Sequence, residues 1–205
     1  MTREHLRRLA CTLAALAPLV AACSRAPSPA VAPVPARDSL PQTSIWEERG
    51  HRPPSTMHLL VPVAGVLAEN IPDSYSAERE GKRVHQAVDI LAPRGTPVLA
   101  TVDGRVLKMH RNTLGGITLY LLDDSSEFIF YYAHLDRYRD GVSEGQHVAR
   151  GDTIAFVGTT GNASPEMPHL HFQMLRAAAD VKWYTGTPVD PRPLFTSTPP
   201  LGLAH

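Results

Sequence analysis

Residues 116–135 read GITLYLLDDSSEFIFYYAHL. Ile117–Leu122 and Glu127–Leu135 are short runs rich in Ile, Leu, Phe and Tyr, with Asp123-Asp124-Ser125-Ser126 between them. Aromatic and β-branched side chains suit a pleated, half-buried surface, and a polar cluster between two such runs reads as a turn. The stretch therefore predicts two neighbouring strands.

The same texture extends outward. Residues 96–102 (TPVLATV), 105–109 (RVLKM), 147–149 (HVA), 153–158 (TIAFVG) and 169–175 (HLHFQML) are further strand-like runs. Asp103-Gly104 fits a tight turn joining the first two of these. Gly145, Gly151, Gly158 and Gly161 interrupt the later runs. No run beyond residue 22 sustains a 3.6-residue apolar period over ten residues. The expected fold is all-β, an antiparallel sandwich or open barrel with a groove for a site.

The chain has 205 residues, 20 acidic and 20 basic, so its formal net charge is zero and nothing favours nucleic acid as partner. Residues 1–22 carry Arg3, Arg7 and Arg8 ahead of an apolar run of signal-peptide length, too short to span a bilayer comfortably. That run ends in Val20-Ala21-Ala22-Cys23 and resembles the lipobox of bacterial lipoproteins. The resemblance implies cleavage before Cys23 and a membrane anchor on its lipidated thiol. Cys11 would leave with the signal, and the mature chain would hold no disulfide. Residues 23–57 are rich in proline, alanine and serine and read as a tether. Residues 58–195 form the expected domain, and 196–205 a loose tail.

Histidines mark the candidate site. Successive strand side chains face opposite ways, so His169 and His171 share a face, about 7 Å apart by strand rise. His85 and Asp89 are four apart, a helical spacing. Gly81, Val84, Val88, Ile90 and Pro93 argue against a helix there and for a loop entering a strand. Imidazole and carboxylate are both ordinary zinc ligands. His134 ends the apolar run 127–135, where a buried histidine satisfied by a backbone carbonyl is the plain reading.

In order, HQAVD (85–89), YYAHL (131–135) and HLHF (169–172) resemble the lysostaphin-type, or LytM-like, zinc endopeptidases of bacterial peptidoglycan. The resemblance covers about residues 81–194. It implies one zinc ion on His85, Asp89 and His171, with His134 and His169 as catalytic groups opposite the metal. It implies peptidoglycan peptide stems as substrate and a place in the cell envelope. With the lipobox and Ser24 after it, that place is the periplasmic face of the outer membrane, which favours D-alanyl to diaminopimelate crosslinks. Two positions depart from the family pattern. Ala87 stands where the family has glycine, and Gln173 where glutamate is frequent.

Two other readings stay open. Some relatives lack activity and instead bind the wall or activate a partner hydrolase. Residues 103–109 and 143–158 also resemble biotinyl or lipoyl carrier domains, with Lys108-Met109 as the hairpin. A carrier has no use for the histidines or for a secretory lipobox.

Overall fold

A computed structural model describes residues 56–79 and 83–196. The expected signal segment, Cys23 and the tether up to residue 55 lie outside the described residues, as does the tail from 197.

The architecture is antiparallel β throughout its main sheet. The strands are β1 (Leu59–Leu60), β2 (Glu78–Arg79), β3 (Arg83–Val84), β4 (Val88–Leu91), β5 (Pro97–Leu99), β6 (Gly104–Asn112) and β7 (Gly116–Asp123). They continue with β8 (Phe128–Tyr138), β9 (His147–Val148), β10 (Thr153–Val157), β11 (His169–Ala177), β12 (Gly186–Val189) and β13 (Phe195–Thr196). The main sheet runs β12-β11-β8-β7-β6-β9; β4 pairs the first half of β11, and β10 bridges β8 and β5. The sheet does not close into a barrel.

The opening stretch forms β7 and β8 with the expected turn between them. Asp123 caps that turn, its Oδ1 accepting from the backbone N–H of Glu127 (2.9 Å) and Phe128 (2.8 Å). The turn at Asp103-Gly104 is a corner rather than a hairpin, because β5 leaves β6 and pairs with β10. A Cβ on Gly104 would strike the Leu122 carbonyl, so the close approach of β7 needs glycine there.

Alternation sorts the side chains. Phe128, Phe130 and Tyr132 of β8 and Leu170, Phe172 and Met174 of β11 are fully buried in one core. Leu59, Val61, Val98, Ile154 and Val157 cover that core from the β1, β5 and β10 side. Burying such side chains contributes about 1.5–3 kcal/mol each. The opposite face of the same strands carries Ile129, Tyr131 and Ala133 and then His169, His171, Gln173 and Leu175. The groove opens on that face.

Candidate metal centre and groove

β4 and β11 pair with His171 opposite Asp89, so one ladder rung sets a carboxylate beside an imidazole. The His171 Nδ1 lies 3.0 Å from Asp89 Oδ1. His85 reaches the same point from the turn before β4. Gln86 takes a positive φ of 53° in that turn. The His85 Nε2 stands 3.1 Å from His171 Nδ1 and 3.2 Å from Asp89 Oδ1. His85, Asp89 and His171 thus converge as a candidate metal-holding group.

Tautomers test the fit. His85 Nδ1 donates to the Ser74 carbonyl at 2.9 Å, which leaves Nε2 as a bare acceptor in the neutral ring. That atom faces a carboxylate oxygen and another imidazole nitrogen, an arrangement that needs a shared proton or a metal cation among the lone pairs. Tetrahedral zinc with bonds of about 2.0–2.1 Å puts its ligand atoms about 3.3 Å apart, close to the spacing here. The donor set fits zinc.

Ser74 holds this corner twice. Its carbonyl fixes His85, and its Oγ accepts from the Asp89 backbone N–H at 3.2 Å. Gln173 donates from Nε2 to the Gln86 carbonyl at 3.0 Å and ties β11 to the His85 turn. The Ala87 methyl is fully buried, its φ is not positive, and it does not line the groove. Alanine at this position therefore needs no left-handed backbone and stays out of the groove lining.

Burial works against an ionised Asp89, but hydrogen bonds and charges from His171 and His85 outweigh it and hold the carboxyl well below the usual range. Burial pushes the His171 ring down, opposed by Asp89.

His134 and His169 face this cluster across the groove, their rings 4.9 Å apart. Regular alternation would send His134 into the core behind Tyr132. A bulge prevents this. The register between β7 and β8 shifts as Ile117 pairs with Leu135 while Leu119 pairs with Tyr132, and His134 takes φ 58°. Leu135 then fills the core and His134 turns to the groove. Its Nδ1 donates to the Thr160 carbonyl at 2.8 Å, and His169 Nδ1 donates to the Met167 carbonyl at 2.8 Å. Both rings, when neutral, carry their bare Nε2 on the other side. Burial pushes His134 down to about 4, despite the Thr160 hydrogen bond, so it is neutral near pH 7.

The groove has a volume of about 1030 Å³. Val84, Leu91, Leu114 and Met167 stand exposed along its walls. Two loops form one wall. The Asn162 N–H donates to the Leu114 carbonyl at 2.9 Å, and the His134 N–H to the Gly115 carbonyl at 2.8 Å. A Cβ on Gly116 or Gly161 would strike the other loop's backbone, so both crossing points require glycine.

The structure brings His85, Asp89, His134, His169 and His171 to one groove. Sequence reasoning did not reach Ser74, Thr160, Tyr131 or the Met167 carbonyl. Three of these act through backbone carbonyls, which no residue type announces.

Comparison with known proteins agrees with this geometry. The chain is 33% identical over 108 residues to an L-Ala–D-Glu endopeptidase of Bacillus subtilis, covering 50% of this chain and 33% of that protein. It is 37% identical over 91 residues to the peptidoglycan DD-endopeptidase ShyB of Vibrio cholerae, covering 44% of this chain and 20% of that protein. The chain thus spans a third or less of these relatives. The solved structure of LytU is 32% identical, with a TM-score of 0.51, and covers 60% of this chain and 82% of that one. Residues 83–191 match the family described as Peptidase family M23, and the chain belongs to it.

Proposed function

We propose that this protein is a zinc endopeptidase that hydrolyses peptide crosslinks of bacterial peptidoglycan. The observation that carries the reading is the pairing of two differently prepared sets of side chains across one groove. His85, Asp89 and His171 turn acceptors toward a common point, and His134 and His169 turn bare Nε2 atoms toward the space beside it.

Zinc held by His85, Asp89 and His171 supplies positive charge that polarises a scissile carbonyl and makes a water more acidic. His169 Nε2, 3.9 Å from Asp89 Oδ1, takes the water's proton. Neutral His134 accepts a hydrogen bond and orients the attacking water or the leaving amine. His169, protonated by that transfer, then gives the proton to the leaving amine as the peptide C–N bond breaks. The exposed apolar walls receive small uncharged side chains such as the methyl of D-alanine, consistent with D-alanyl to diaminopimelate crosslinks. The lipid on Cys23 holds the domain at the periplasmic face of the outer membrane, and the proline-rich tether lets it meet the wall.

Digestion of purified peptidoglycan, with mass spectrometry of the released fragments, tests the reading. Crosslinked dimers should disappear and monomeric stems accumulate, with no change after chelation and loss of zinc. Intact dimers, together with activation of an added partner hydrolase, would establish the regulator reading instead.

A further inference from the structure

The groove face of the sheet continues past the histidines. Along β11 the residues on this face are His169, His171, Gln173 and Leu175, and the last belongs to a second apolar cluster with Tyr120 and Ile129. The loop between β11 and β12, residues 178–185, folds back over this cluster. Its Trp183 meets Tyr120 at 4.9 Å and His110 of β6 at 5.1 Å between ring centroids. Tyr120 meets Tyr131 at 4.6 Å, and Tyr131, which lines the groove, meets the His171 ring at 6.0 Å. A continuous path of rings therefore joins the candidate metal centre to Trp183.

Covering the cluster accounts for Trp183 but not for its neighbour. Tyr184 is 61% exposed and stands edge-on to Trp183 at 5.1 Å. The loop that presents it is fixed by a turn, with the Thr185 N–H donating to the Lys182 carbonyl at 3.1 Å. Beside it Lys182 pairs with Asp180 at 2.8 Å. A rigid exposed aromatic ring flanked by charged hydrogen-bonding groups is suited to a sugar, whose C–H face stacks on the ring while its hydroxyls find polar partners.

We propose that Trp183 and Tyr184 form a platform for an N-acetylated amino sugar of the glycan strand, whose stem peptide runs along the sheet face into the histidine groove. This rests on the peptidoglycan reading above. Distance supports the occupant. The ring-to-ring steps from His171 through Tyr131 and Tyr120 to Trp183 are 6.0, 4.6 and 4.9 Å, so Trp183 lies within about 16 Å of His171. An extended stem of about four residues has the same reach. A glycan seated on the loop therefore delivers its crosslink to the groove.

The test uses the full chain with Trp46→Phe, which leaves Trp183 as the single tryptophan. The probe is peptide-free glycan strands. They should change Trp183 emission saturably. Tyr184→Ala should weaken this binding about tenfold, and Tyr184→Phe should retain it. Tyr184→Ala should also cut intact sacculi about tenfold more slowly, yet cut glycan-free crosslinked stem peptides at the parent rate. Unchanged emission, or equal binding by parent and Tyr184→Ala, overturns the platform. So does an equal rate loss on both substrates. If no substrate is cut while glycan strands still bind through Tyr184, the endopeptidase reading fails and the platform stands.

Discussion

The His134 imidazole donates to the Thr160 carbonyl at 2.8 Å, and the Thr160 hydroxyl donates to the Leu135 carbonyl at 2.7 Å. One residue thus holds both the ring and the strand bulge that aims it. With its Nδ1–H engaged, His134 offers the groove an acceptor. Replacing His134 or His169 with alanine should leave zinc bound and slow hydrolysis roughly a hundredfold or more. Metal content and the rate on crosslinked peptidoglycan are measured on the same preparations. Full activity in His169→Ala would remove the role given to that ring.

His171→Ala should lose tight zinc binding, because one of the converging acceptors disappears. Ser74→Ala should bind zinc about 10-fold more weakly, since it frees the backbone that positions Asp89. Competition with a chelator of known affinity measures both. Parent-like affinity in His171→Ala would sink the ligand assignment.

Stability without metal should fall in acid partly through His134. Its folded value of about 4 lies below the ordinary value near 6.5. Between these values the unfolded chain binds a proton that the native chain excludes, so stability is full above about pH 6.5 and declines as pH drops toward 4. His171, also lowered by burial, acts with the same sign. At about 1.4 kcal/mol per unit, the His134 contribution is on the order of 3 kcal/mol. Denaturation in chelator at several pH values should show a flatter decline for His134→Gln. An identical slope in variant and parent would refute the burial argument.

Gly116→Ala should destabilise the domain by about 2–4 kcal/mol. Gly116 has φ 68°, and an added methyl meets the Thr160 and Gly161 backbone. Thermal melting gives the loss. Activity measured well below the melting point should also drop, because the displaced loop carries the carbonyl that holds the His134 N–H.

Cys23→Ser should abolish processing as a lipoprotein and release the protein from membranes. A tether of roughly 30 residues between such an anchor and the domain would reach on the order of 90 Å if fully extended as polyproline. Unchanged membrane partitioning of the variant would rule out the anchor.

The sheet was legible because its alternation is plain. Phe128, Phe130 and Tyr132 predict one buried face, and the same period puts His169 and His171 together on the other. The region around His85 was legible as a loop entering a strand, because its β-branched residues and flanking proline oppose a helix. The corner at Asp103-Gly104 was misread as a local hairpin. A strand's partner depends on the whole sheet, and β5 finds β10 fifty residues later. The bulge at His134 was hidden for a similar reason. Nothing in YYAH announces a left-handed histidine; the Gly115 and Thr160 carbonyls that stabilise it arrive from other loops.

That bulge makes the groove sensitive to counting as well as to chemistry. Deleting Ala133 would remove the bulge, keep Leu135 in the core by regular pleating, and set the imidazole at the Ala133 position opposite His171, away from the Thr160 carbonyl that orients it. The altered gene would still encode every histidine and aspartate discussed above. A motif search would score it as intact, while the imidazole had lost the carbonyl that orients it. Among sequences sharing these motifs, the spacing from Tyr132 to Leu135 is therefore a diagnostic for competence that residue identity alone does not provide.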